Sequence, residues 1–137
     1  QQFDIPSVIY NKPTNVFVSK FVGSPSINLF KANVVNSILF VGEDKICETI
    51  LNNQEVILGV RPENIKISDN GIPVKFCFEE ISGGVKYLYF ESEISMNKYI
   101  IIQQDNDYKV SGEQFFLKLH KNKINIFDQN TELLIDF

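Results

Sequence analysis

"VILGVRPENIKIS", Val56 to Ser68, decides how the chain is read. Val56 to Val60 run without a polar interruption, and then the chain's only arginine, Arg61, is followed by Pro62 and Glu63. A run this short, rich in β-branched residues and stopped by proline, reads as a strand. Pro62 has no N–H to give to a ladder, so the strand ends there. Glu63 and Asn64 start a single helical or tight turn, and "IKIS" follows. On this reading Arg61 stands exposed at the strand end, within reach of Glu63, in a pair that adds little stability.

Outward from this stretch the chain keeps the same texture. "INLFKANVV", "ILFVG", "YIII", "EQFFLKLH", "KINIF" and "ELLIDF" are short apolar runs between polar turns. "IPVKFCFEEI" alternates, with Val74, Phe76 and Phe78 on one face and Lys75, Cys77 and Glu79 on the other. Gly83-Gly84 joins it to "VKYLYFESEI" as a hairpin. Strands this short and frequent predict an all-β domain, one or more small barrels of antiparallel strands, over 26–137. "VILGV" and "YIII" are apolar at every position, whereas a strand facing water alternates. They are either interior strands or the sign of an additional buried face.

Residues 1–25 differ. Pro6 to Asn11 suits a short helix stopped by Pro13. Phe17 and Phe21 fall at i and i+4 in "NVFVSKFV", as on an amphipathic helix, and Gly23-Ser24-Pro25 ends it as a turn.

The totals narrow the function. The 137 residues suit one domain, and 44% hydrophobic with 22% charged residues is a globular composition. A net charge of −4 opposes nucleic acid and anionic lipid alike. No apolar run approaches the roughly 20 residues of a membrane helix. The N-terminus does not read as a signal peptide, so the expected compartment is cytoplasmic. Cys47 and Cys77 are too few for a disulfide framework and read as small buried residues. Ala32 is the only alanine, while Ile, Asn and Lys abound, a codon bias that lowers the weight of Asn- and Lys-rich patches.

Catalytic patterns are absent from the sequence. No glycine begins a phosphate loop or a dinucleotide turn. His120, the only histidine, ends a strand-like run and reads as a solvated or hydrogen-bonded structural residue. Asp105 and Asp107 lack the glycine and distal glutamate of a calcium loop and read as a solvated turn. Tyr87 and Tyr89 share a strand face and could form a stacking platform for bases or sugars. No catalytic, cofactor-binding or metal-binding residue is assigned.

The wording of the opening stretch is more specific than its pattern. "LGVRPENIKI" resembles the L-G-[VI]-R-P-E-[DN]-I signature in the C-terminal regulatory (TOBE/OB-type) domain of ATP-binding subunits of ABC sugar importers, the maltose and multiple-sugar type. "QQFDIPSVIYNKPTNVFVSKFVGSPSINLF", "FEEISGGVKYLYFE" and "LKLHKNKINIFDQNTELLI" resemble further family segments, in the same order. The positions that match are Pro6, Tyr10, Pro13, Asn15, Phe17, Phe21, Gly23, Ser24, Pro25, Asn28, Gly59, Arg61, Pro62, Glu63, Phe127 and Asp128. Phe3-Asp4-Ile5, Ile27 and Glu132 depart from the pattern, and 92–114 matches weakly.

The resemblance implies that 1–25 is the helical tail of a nucleotide-binding domain and 26–137 a regulatory domain. It implies a homodimer through the β domain, contact with membrane permease subunits through the parent ATPase domain, and a possible regulatory protein. The parent would use ATP and Mg on the inner face of a bacterial cell membrane, while this chain alone would not be an enzyme. Its signature and interface residues would be Ser24, Pro25, Asn28, Gly59, Arg61, Pro62, Glu63, Asn64, Phe127 and Asp128, none catalytic. Other readings are the same domain from an importer of glycerol phosphate or polyamine, or a free-standing barrel for oligosaccharide or nucleic acid.

Overall fold

A computed structural model describes residues 27–131 and 133–135. The two expected helices, the turn at Gly23 to Pro25 and the boundary at residue 25 lie outside the described residues. The rest is antiparallel β structure, as the strand spacing predicts.

Among the described residues eleven strands follow in chain order: β1 Asn28–Val35, β2 Ile38–Val41, β3 Asp44–Glu48, β4 Gln54–Val60, β5 Ile65–Ser68, β6 Ile72–Ser82, β7 Val85–Glu91, β8 Ile100–Asp105, β9 Phe115–Leu119, β10 Ile124–Asp128 and β11 Leu134–Ile135. One sheet has the order β11-β10-β4-β1-β2-β3, the other β5-β9-β6-β7-β8. The turns follow local chemistry. Asn36-Ser37 joins β1 to β2, and Gly83-Gly84 joins β6 to β7, all four with positive φ. Two-residue hairpins need that conformation because it matches the twist of the flanking strands.

Both sheets contribute to one apolar core. Phe30, Ala32, Leu39, Val56, Leu58, Val60 and Ile126 come from the first sheet; Ile65, Ile72, Leu88, Phe90, Ile100, Ile102 and Leu117 come from the second. A smaller cluster of Ile27, Leu29, Ile57 and Phe127 lies apart from that core. The "VILGV" run is thereby explained: Val56, Leu58 and Val60 join the main core, while Ile57 joins the smaller cluster. β4 is an interior strand, paired with β1 on one side and β10 on the other. The "YIII" run alternates instead, with Ile100 and Ile102 buried and Tyr99 and Ile101 half-buried. Neither run needs a second copy of the chain to bury it.

The sequence pattern misreads β6. Its pairing with β7 slips between Phe76 and Phe78, so that Phe76 faces Phe90 but Phe78 faces Tyr89. This is a β-bulge: the extra residue, Cys77, reverses the alternation beyond it. Phe76 packs edge-on against the buried Phe90, with ring centres 5.6 Å apart. Phe78 points to the other side of the sheet and is 41% exposed.

Candidate functional site

The signature residues meet at one joint, where the chain leaves the first sheet for the second. β4 ends at Val60, and Pro62–Asn64 form the single 3-10 turn expected after the proline. The Asn64 N–H donates to the Arg61 carbonyl at 2.9 Å, and the Asn64 carbonyl accepts from the His120 N–H at 2.9 Å. Arg61 corrects the reading of an exposed strand end: it is 4% exposed, while Glu63 is exposed. The end of β4 lies inside the molecule, so the side chain that follows it is enclosed.

Asn28 explains itself geometrically. Its main chain pairs with Val60 in the first sheet. Its side chain reaches the second sheet, donating from Nδ2 to the Ile101 carbonyl at 2.8 Å and accepting the Ile101 N–H on Oδ1 at 2.8 Å. Nδ2 also donates to the Val60 carbonyl at 3.1 Å. The amide has one donor group and one acceptor, as a peptide unit has, and it pairs with β8 as a strand would. Gly59, beside it, has Leu29 and Asn125 as ladder partners. A Cβ there would come within 2.9 Å of Ile27 Cδ1 and of Phe127 Cε2. The missing side chain makes room for Phe127, which is wholly buried.

Asp128 closes the turn after β10. Its Oδ1 accepts the N–H groups of Asn130 and Thr131, both at 2.9 Å. These bonds hold its carboxyl below the ordinary carboxylate range. Ser24 and Pro25 lie outside the described residues. Asn28, Gly59, Arg61, Pro62, Asn64 and Phe127 are thus brought into one structural joint, and Asp128 stands at the end of the strand that carries Phe127.

Reactive side chains are not assembled around this joint. His120 is exposed, and its Nδ1 accepts the Asn122 N–H at 3.2 Å, as a structural histidine at a strand end would. Burial pushes both the Cys47 and the Cys77 thiol up, away from the thiolate a nucleophile needs. Both are half-buried rather than enclosed as expected. Among the described residues no three His, Cys, Asp or Glu side chains are grouped to hold a metal ion. No helix among them is long and apolar enough to cross a membrane.

A feature that the period of the sequence conceals lies on the face of β6, β7 and β8 that Phe78 now joins. Phe78 stacks on Tyr89 with ring centres 4.3 Å apart and planes 14° apart. Tyr99 meets both rings edge-on, at 5.2 Å and 5.7 Å. The Tyr89 hydroxyl donates to Glu80 Oε1 at 3.0 Å. Burial, then the Glu80 carboxylate, raise the Tyr89 phenol above its ordinary value. The Tyr89 ring, read with Tyr87 as able to form a stacking platform, already has Phe78 on one side.

No protein-family model matches the chain. It is 29% identical over 139 residues to the uncharacterized ABC transporter ATP-binding protein y4oS of Sinorhizobium fredii, a match covering 96% of the chain and 37% of that protein. It is 28% identical over 154 residues to the oligosaccharides import ATP-binding protein MsmX of Bacillus subtilis, covering 98% and 41%. It is 28% identical over 141 residues to the sn-glycerol-3-phosphate import ATP-binding protein UgpC of Escherichia coli, covering 96% and 39%. The chain spans about two fifths of the length of these relatives. On this coverage, almost the whole chain is similar to a part of ABC transporter ATP-binding proteins.

Proposed function

We propose that the chain is the regulatory and pairing domain of the ATP-binding subunit of an ABC-type carbohydrate importer. The observation that carries this is the match of almost the whole chain to import ATP-binding proteins, joined to the built role of Asn28, Gly59 and Phe127. In the parent subunit, ATP and Mg would be held by a nucleotide-binding domain, and the permease subunits would dock there, at the inner face of the membrane. This β domain holds two such subunits together and offers a face to regulators. Pairing rests on the family resemblance of the signature alone, because the apolar run of β4 is buried within this chain. UgpC is as similar as MsmX, which favours glycerol phosphate as the alternative cargo.

The test uses the complete gene product together with its neighbouring permease subunits. Co-purification with the permeases, transport of an oligosaccharide driven by ATP, and dimerisation that weakens on deletion of 26–137 are expected. A complete product that lacks a phosphate loop, or whose equilibrium sedimentation is unchanged by that deletion, overturns the reading.

A further inference from the structure

β6 is eleven residues long, but β9 pairs only with Ile72, Pro73 and Val74. Beyond Val74 no second strand among the described residues pairs with β6, whose other side is taken by β7. Every residue from Phe78 to Gly84 is exposed. Open edges are hazardous, because their unpaired N–H and C=O groups recruit other strands. This one is also apolar in an uncommon way, with Phe78 41% and Ile81 59% exposed. The bulge at Cys77 is what turns Phe78 outward, at the point where β9 pairing has stopped.

The charges on the edge select among occupants. Glu79 and Glu80 lie side by side in sequence, on opposite faces of the strand, between the two exposed apolar residues. Glu80 is held by the Tyr89 hydroxyl at 3.0 Å, and Glu79 lies 3.2 Å from the buried Lys86 ammonium. A second copy paired on this edge would set carboxylates against carboxylates, which is unfavourable across strands. Nucleic acid and anionic lipid are repelled by the same groups. A basic strand is attracted, and the cluster already takes a cation: the Lys98 ammonium lies 5.4 Å from the centre of the Tyr99 ring.

We propose that the open edge of β6, Phe78 to Ser82, binds an extended basic segment of a partner protein by strand addition. The partner's backbone continues the ladder, an apolar side chain covers Phe78 or Ile81, and a lysine or arginine meets Glu80. This stands apart from the transporter reading, since it rests on the edge alone and is read by peptide titration whatever the parent subunit transports.

The probe is an acetylated hexapeptide alternating lysine and valine, titrated into the 137-residue chain and followed by amide NMR and hydrogen exchange. Saturable binding is expected, with at least tenfold slower exchange of amides within Phe78–Ser82. The glutamate–valine counterpart, and a lysine–valine peptide with N-methylated backbone, should each bind at least tenfold more weakly. Glu80→Lys should weaken binding at least tenfold while leaving the β6–β7 hairpin signals in place, and Phe78→Ser should weaken it too. No binding at millimolar peptide, equal binding of the N-methylated peptide, or protection elsewhere on the chain overturns the proposal. Self-association that displaces the peptide would make the occupant a second copy and overturn it as well.

Discussion

Replacing Asn28 with alanine should cost about 2–4 kcal/mol, far more than an ordinary polar-to-alanine change on a strand. The side chain makes three hydrogen bonds, two to Ile101 at 2.8 Å and one to the Val60 carbonyl at 3.1 Å. Asn28 is 2% exposed, so water does not freely replace it. Each bond is worth about 1 kcal/mol net, and each buried group left unpaired costs about 1–3 kcal/mol. The Ile101 N–H and C=O are the two groups orphaned. The lost area is small, so hydrogen bonding sets the magnitude.

Asn28→Asp separates this account from a packing effect, because it keeps the shape. It sets a carboxylate oxygen against the Ile101 and Val60 carbonyls, which Nδ2 now bridges. Repulsion and burial raise the folded-state pKa of the new group above its unfolded value of about 3.9. Whatever stability the protonated acid retains is therefore present below about pH 4. It is lost as pH rises through the folded pKa. At neutral pH the aspartate variant should be the less stable of the two, and its deficit against wild type should shrink toward pH 4. Urea unfolding followed by circular dichroism, with unchanged m values, measures both variants. An alanine cost under about 1 kcal/mol, or an aspartate variant as stable as wild type at pH 7, refutes the role given to the Asn28 hydrogen bonds.

Three further outcomes follow from the joint and the turn beside it. Gly59→Ala forces a Cβ against Ile27 and Phe127 and should destabilise by about 1–3 kcal/mol in the same assay, as overpacking does. Arg61→Ala should cost about 2–4 kcal/mol rather than the 0–1 of an exposed pair, because the guanidinium is enclosed and its surroundings would lose a buried charge. Asp128 has a lowered folded pKa, so its contribution is present above the unfolded value of about 3.9 and is lost as pH falls through the folded pKa. Asp128→Ala should speed amide exchange at Asn130 and Thr131 at neutral pH. Exchange at the two residues should approach that of wild type once the native carboxyl is protonated.

The sequence exposes what is local in this fold and hides what is not. Gly83-Gly84 and Pro62 announce their turns, because only certain residues tolerate those backbones. The signature at Gly59 to Asn64 is readable as a family mark, yet nothing near it says that Arg61 is buried. That follows from where the end of β4 sits in the assembled molecule. Cys77 is the clearest failure. A bulge leaves the apolar alternation of "VKFCF" intact in sequence while reversing it in space, so Phe78 reads as core and stands at the surface. The apolar run of β4 overstated the need for a partner, because the second face is filled by Ile27 and Leu29 from one end of the described chain and Phe127 from the other, all remote from β4 in sequence.

The order of the first sheet also sets a timetable for biosynthesis. β4 is flanked by β1 and β10, and every strand of the other sheet is encoded between β4 and β10. A ribosome therefore releases the interior strand β4, with one side of its ladder vacant, long before Ile124 to Asp128 emerge to fill it. Through that interval Val56 to Val60 form an open apolar template, and nascent chains are most prone to aggregate or to need a chaperone. A chain interrupted anywhere before β10 keeps the template exposed, which makes it recognisable to proteolytic surveillance as incomplete.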